Sequence, residues 1–288
     1  MNIKLMKHLC KLSQESLKNT LYDYLIKKYD TVIHTKDYII AEGDIPICLV
    51  AHLDTVFKIP PDEIYYDEEN KVMWSPQGLG ADDRAGIYAI LNIIKAGYKP
   101  HIVLTTDEEL GGVGALHLIK EYQECPFTDL KAIIELDRQG EKDCVFYDCA
   151  NLDFETYIQS FGFVTAIGSF SDISFIAPAW GVAAVNLSVG YVDEHTYCER
   201  LFFEHLHSTI EKVKEILSNA TSMLNYAYIP LKYSFAFDCA ICQKHLWDHD
   251  FHKVDVYGTK FDVCDECYEL YYKPHNHKHN HRKTRKRK

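Results

Sequence analysis

His52 and Asp54 stand two residues apart in AHLDTV, directly after the apolar run IPICLV. Asp82 and Asp83 lie in GLGADDRAG, and Asp107, Glu108 and Glu109 lie in TTDEELGGVG. Asp137 closes ELD, and His195 sits in VGYVDEHTY. Taken singly, each has an ordinary structural use. Asp82 or Asp83 suits a helix N-cap, Glu108 and Glu109 favour a helix N-terminus through the macrodipole, and His195 is one of 15 histidines. Taken together, those uses do not suffice. Gathering so many carboxylates at one rim costs several kcal/mol through like-charge repulsion and desolvation. A pair of divalent cations among them removes that cost. Imidazole and carboxylate donors without thiolate suit zinc, manganese or cobalt.

The elements that would gather these residues are legible as periodicity. IPICLVA reads as a buried strand, DDRAGIYAILNIIKAG as a helix ending at Gly97, HIVLTT as a second strand and GGVGALHLIKEYQE as a helix. KAIIELD and DCVFYDC read as further strands, GVAAVNLSVG as another buried strand, and CERLFFEHLHSTIEKVKEILSNA as a long final helix. Leucines and tyrosines from Leu5 to Tyr29 recur at helical spacing and predict an amphipathic N-terminal helix. Strands alternating with helices predict an α/β three-layer sandwich on a mostly parallel central sheet. In such sheets ligands bind beyond the carboxyl ends of the strands, where the acidic residues and both histidines fall.

Hydrophobic residues make up 47% of the 288 positions and charged residues 25%, ordinary for a soluble globular chain. No apolar run reaches the length of a membrane span. The N-terminus lacks the h-region of a secretory signal, so a cytoplasmic protein with reduced thiols is expected. The net charge of −11 hides a division. The last 16 residues carry eight Lys or Arg and no acid, which leaves 23 basic against 42 acidic residues, or −19, for the rest. Residues 273–288, basic and His-rich, are expected to be disordered, and are able to attract nucleic acid or an acidic partner.

Four of the ten cysteines form two pairs, Cys239/Cys242 in CAIC and Cys264/Cys267 in CDEC, separated by 21 residues. Four thiolates satisfy a structural zinc with no open position, and a segment this short has too small a core to fold unaided. His245, His249 and His252 are alternative ligands or surface histidines. The expected organisation is a catalytic domain over 1–218, a connector over 219–236, a zinc-ribbon-like module over 237–272 and the tail over 273–288.

The order HLDTV, GADDRAG, TTDEELGGVGA, ELD and a late EH resembles the di-zinc exopeptidase clan, which includes peptidase T, the glutamyl aminopeptidases and the leucyl aminopeptidases. The resemblance runs over about residues 45–215. It implies an exopeptidase, most simply an aminopeptidase on short peptides, in which two metal ions share and activate a water. It implies that His52 and Asp137 bind one zinc, that Glu109 and His195 bind the other, and that Asp82 bridges both. It further implies that Asp54 orients His52, that Glu108 is the general base, and that the Asp82–Asp83 peptide is cis. Arg84 stands where lysine is common, an exchange expected to have little effect. The lid and dimerisation insertions of the clan have no room between Asp54 and Asp82 or between Asp137 and His195. GSFSDISF resembles a segment before a helix in the same clan; Ser171 and Asp172 either cap that helix or line the substrate pocket, with Asp172 a candidate for gripping an α-amine. Alternatives are an amidohydrolase on N-acyl amino acids, and a nucleic-acid-binding protein that works through the cysteine module and tail.

Overall fold

A computed structural model of the chain describes residues 2–231, 237–239, 241–242, 245–246, 251–256 and 259–272. The basic tail, His249, Ala240 and residues 232–236 of the expected connector lie outside these residues. The chain divides into two compact units, Met1–Leu231 and Lys232–Lys288.

The first unit begins with two helices, α1 (Ile3–Cys10) and α2 (Gln14–Leu25), where periodicity predicts one. Ser13 breaks the run: its hydroxyl accepts from Ser16 N–H at 3.3 Å and so caps α2. A hairpin that sequence patterning misses follows, β1 (Thr31–His34) and β2 (Tyr38–Glu42). Next come β3 (Ile45–His52), the short strands β4 (Tyr65–Asp67) and β5 (Val72–Trp74), and α3 (Ala81–Lys95). The chain continues through β6 (Pro100–Thr105), α4 (Val113–Glu121), β7 (Ala132–Arg138), β8 (Asp143–Val145) and α5 (Leu152–Gln159). It ends with β9 (Val164–Thr165), α6 (Ile173–Trp180), β10 (Ala184–Ser188), β11 (Tyr191–Val192), β12 (Arg200–Phe202) and α7 (Phe203–Ser218).

Eight strands form the main sheet in the order β1-β2-β6-β3-β7-β10-β8-β9. The four in the middle, β6, β3, β7 and β10, are parallel to one another. This is the mixed α/β sandwich the alternation predicts. The reason β3 reads as an unbroken apolar run is that both faces are covered. Ile47, Leu49 and Ala51 enter the core shared with α1, α2, α3 and α7. Cys48 and Val50 point the other way, into the core shared with α4 and α6. The parallel strands all deliver their carboxyl ends to one edge of the sheet, and there β3, β6, β7 and β10 release the loops of interest.

Two element boundaries depart from the patterning. The stretch read as the start of the final helix is instead β12, which pairs with β5 in a small antiparallel sheet; α7 begins at Phe203. The part of the expected connector up to Leu231 packs on the first unit. Ala227 bridges to Val182, Pro230 bridges to Cys149, and Tyr226 is buried against Phe154. Weak periodicity hid it because its contacts are isolated bridges rather than a strand or helix face. The residues between Asp137 and His195 are spent on β8, α5, β9, α6, β10 and β11.

In the second unit, β13 (Phe237–Asp238) pairs with β14 (His245–Leu246), and β15 (Phe251–Val256) pairs with β16 (Thr259–Cys264). Its described core is small: Val254, Val263, Cys239, Cys264 and Cys267, with Tyr268 against it.

Candidate active site

His52 ends β3 fully enclosed, at 1% exposure. Its Nδ1 lies 3.1 Å from Asp54 Oδ1, which leaves Nε2 to face Asp82 Oδ1 at 2.9 Å and Asp137 Oδ1 at 3.4 Å. On the other side of Asp82, the second oxygen Oδ2 lies 3.0 Å from His195 Nε2, which also approaches Glu109 Oε1 at 2.9 Å. Five residues from five separate segments of the chain therefore form two donor sets that share one carboxylate. His52 with Asp137 lies on one flank, Glu109 with His195 lies on the other, and each oxygen of Asp82 serves one flank.

The local backbone explains how each side chain arrives. Asp82 starts α3 after the left-handed Gly80, and the Asp82–Asp83 peptide is cis. At Gly86 a Cβ would lie 2.1 Å from Leu136 O and 2.5 Å from Asp83 Oδ2, so only glycine lets α3 come this close to β7. Asp107 and His195 both take left-handed backbone, at φ 56° and 63°, a conformation unfavourable without glycine and tolerated where loop geometry demands it. The turn at Asp107 sends Glu108 and Glu109 into a 3₁₀ segment facing Asp54. Asp54 then accepts the N–H of Glu108 on Oδ1 and of Glu109 on Oδ2, each at 3.0 Å. One carboxylate thereby orients a histidine and the backbone that carries both glutamates.

The electrostatics show what the site lacks. Burial works to lower the His52 pKa, but Asp137, Asp54 and Asp82 overcome it and hold the value well above that of a free imidazole. The carboxylates of Asp82 and Glu109 beside it raise His195 to about 11. Asp82 is held low despite its burial, by the two histidines. Burial first, then neighbouring negative charge, raises Asp137 to about 6 and Glu108 to about 9. Without a bound cation, protons on the imidazoles must screen these carboxylates.

A divalent ion fits better than those protons do. Glu109 Oε1 is buried with no hydrogen-bonded donor although His195 Nε2 is 2.9 Å away. Two such atoms approach side by side, as ligands of one ion do, rather than as donor and acceptor. Bonds of about 2.1 Å to a tetrahedral ion place neighbouring ligand atoms about 3.4 Å apart, close to the separations on both flanks. His52, Asp82 and Glu109 each offer an atom within one 4.8 Å cluster, as do His52, Asp83 and Asp137. In the second cluster Asp83 is otherwise engaged. The Asp83 oxygens already accept from the N–H groups of His52 and Gly86, at 3.3 and 2.8 Å.

Sequence reasoning misplaces or misses several supporting residues. Asp172 does not cap α6 through its side chain: it is fully buried, makes no side-chain cap bond and accepts from the Thr105 hydroxyl. Ser171 instead donates to Asp137 Oδ2 at 3.0 Å, and Tyr191 donates to Asp137 Oδ1 at 3.0 Å. Arg84 is no simple stand-in for lysine. It is buried and its guanidinium donates to the carbonyls of Leu9, Leu12, Leu53 and Asp54, tying the N-terminal helices to the His52–Asp54 turn. Glu199 is buried and accepts the N–H groups of Gly80 at 2.6 Å and Asp82 at 3.0 Å, which fixes the backbone of the shared carboxylate. No local signal marks Glu199, which lies 117 residues from Asp82 in sequence.

In the second unit, sulfur atoms of Cys239, Cys242, Cys264 and Cys267 all lie within 4.8 Å of one another. Backbone N–H groups point at the sulfurs, from Cys264 to Cys239 and from Cys267 to Cys264. His252 turns away to pair with Asp265 at 2.7 Å and to stack on Tyr268.

No family model and no curated protein matches the chain. Solved structures do. The chain is similar to a tripeptidase from Staphylococcus aureus subsp. aureus mu50, at 15% identity over 77% of this chain and 98% of that one, with a TM-score of 0.63. It is similar to aminopeptidase PepT from Bacillus cereus ATCC 10987, at 16% identity over 76% and 98%, TM-score 0.58. It is also similar to the Pyrococcus horikoshii TET1 peptidase, which can assemble into a tetrahedron or a large octahedral shell, at 14% identity over 75% and 99%, TM-score 0.56. The chain has the fold of these peptidases.

Proposed function

We propose that the first unit is a divalent-metal-dependent aminopeptidase that hydrolyses short peptides. The observation that carries this reading is the sharing of Asp82 between two donor sets, with Glu108 beside them. When bound, two divalent ions would supply Lewis-acid activation of water and of the scissile carbonyl. His52 and Asp137 would hold one, Glu109 and His195 the other, and Asp82 both. Asp54 fixes the His52 tautomer by accepting from Nδ1, so that Nε2 keeps its lone pair for the ion. Glu108 is buried beside the cluster and has a raised proton affinity. It is suited to take the proton of the attacking water and to return it to the leaving nitrogen. The likeness to a tripeptidase and to aminopeptidase PepT supports peptides as the substrate class.

Purified protein, loaded with zinc or cobalt and given unblocked dipeptides, should release free amino acids. Glu108→Gln should lower kcat by roughly 100- to 10,000-fold without changing the thermal midpoint by more than a few degrees. No hydrolysis by the wild type, or equal rates in the two proteins, would overturn the reading. In the second unit, a structural zinc held by the four cysteines is the companion proposal; a metal-to-thiol ratio of one ion per four cysteines in residues 232–288 supports it.

A further inference from the structure

Two arginines flank the candidate site, and they are used in opposite ways. Arg84 is saturated by four carbonyls. Arg138 follows the candidate ligand Asp137 on β7 and lines a cavity of about 380 Å³ that opens onto Glu108 and His195. Among the described residues its guanidinium makes one hydrogen bond, a long one from Nη2 to Ile167 O at 3.4 Å. Its Nε is buried with no partner at all, and among the described residues it forms no ion pair. A buried donor left unpaired is unfavourable, so Arg138 is suited to pair with an acceptor that enters the cavity. The carboxyl and imidazole groups of the cavity are Asp82, Glu108, Glu109, Asp137, Glu194 and His195. All but Glu194 are committed to the proposed ions or the proton transfer. Among the described residues lining this cavity, Arg138 is then the one Lys or Arg side chain, and its Nε and Nη donors form the fork that matches a carboxylate.

Resting on the aminopeptidase reading, we propose that Arg138 is a specificity-determining residue that binds a carboxylate of the peptide. Two parts of a peptide carry this chemistry: the C-terminal carboxylate of a dipeptide, and an acidic side chain at the N-terminal residue. Either source places the anion within one residue of the scissile bond, because Arg138 is the immediate neighbour of a candidate ligand.

Binding is read by calorimetry in metal-loaded Glu108→Gln protein, with four probes: leucyl-leucine, leucyl-leucinamide, glutamyl-leucinamide and glutaminyl-leucinamide. One acid should bind roughly 10- to 100-fold more tightly than its neutral partner, the range of a charge-assisted pair. A preference within the leucyl pair assigns the terminal carboxylate, and one within the glutamyl pair assigns the side chain. Arg138→Met should reduce that ratio to below about threefold, and Arg138→Lys should leave an intermediate ratio because it keeps the charge and loses the fork. Equal binding within both pairs, or an unchanged ratio in Arg138→Met, overturns the proposal. Turnover of the same four probes by the wild-type protein is scored separately, so that a failure of the peptidase reading is not mistaken for a failure of Arg138.

Discussion

The rim of the first unit and the cysteine cluster of the second both concentrate metal-type donors, yet they are built by opposite logic. At the rim, nitrogen and oxygen donors come from five segments between His52 and His195 and rest on an eight-stranded sheet with helices on both faces. The sheet's core accounts for the fold, and the donors are then held in place by Asp54, Arg84, Glu199, Ser171 and Tyr191. In the cysteine cluster, the donors are themselves much of the described core. On the proposed reading, fold would come before metal in the first unit and metal before fold in the second.

The sharpest way to break this contrast is to remove one donor from each side. Cys239→Ser should abolish the fold around the cysteine cluster, read as loss of dispersed amide signals from 251–256 and 259–272 and rapid proteolysis there, while dipeptide hydrolysis by the first unit persists. Survival of the second unit's signals would show that it does not need its metal. Asp82→Asn should do the reverse, with loss of hydrolysis and retention of secondary structure.

A smaller effect tests the scaffold. Arg84→Lys replaces a fork that reaches four carbonyls with a single ammonium, and should lower stability by about 2–4 kcal/mol, since it leaves buried carbonyls unpaired. Chemical denaturation measures this, and a change below about 0.5 kcal/mol would return Arg84 to a simple charge. Smaller again, Glu199→Gln keeps one acceptor and turns a donor toward the second N–H. Metal affinity should fall by roughly 10- to 100-fold, as for other outer partners of metal ligands, at nearly unchanged stability.

What the sequence reveals follows the same division. The candidate ligands were legible because each stands at the end of an apolar run or the start of a helix, where local patterning is strong. The pairing of CAIC with CDEC was legible from spacing alone. The residues that steady the ligands were not. Arg84 reaches back to Leu9 and Leu12, and Glu199 reaches back to Gly80, contacts made between distant segments with no local periodicity to betray them. The same reason hid β12, whose three residues become a strand only because β5 lies beside them. Asp172 misled in the opposite direction: its position before α6 suits a cap, but burial beside Thr105 claims its side chain.

Protons connect the rim to its proposed ions. His52 and His195 hold their protons above neutral pH in the metal-free chain, and an imidazole must release one to act as a ligand. Loading should therefore liberate protons, measured as a dependence of apparent binding enthalpy on the buffer's ionisation enthalpy near pH 7. No such dependence would mean that the histidines are not ligands.

The most direct test of the central claim is the metal content of purified, zinc-reconstituted protein beside its Asp82→Asn variant. The account predicts three ions per chain in the wild type, two at the rim and one among the cysteines, falling toward one in the variant. One ion per chain in both proteins would contradict it.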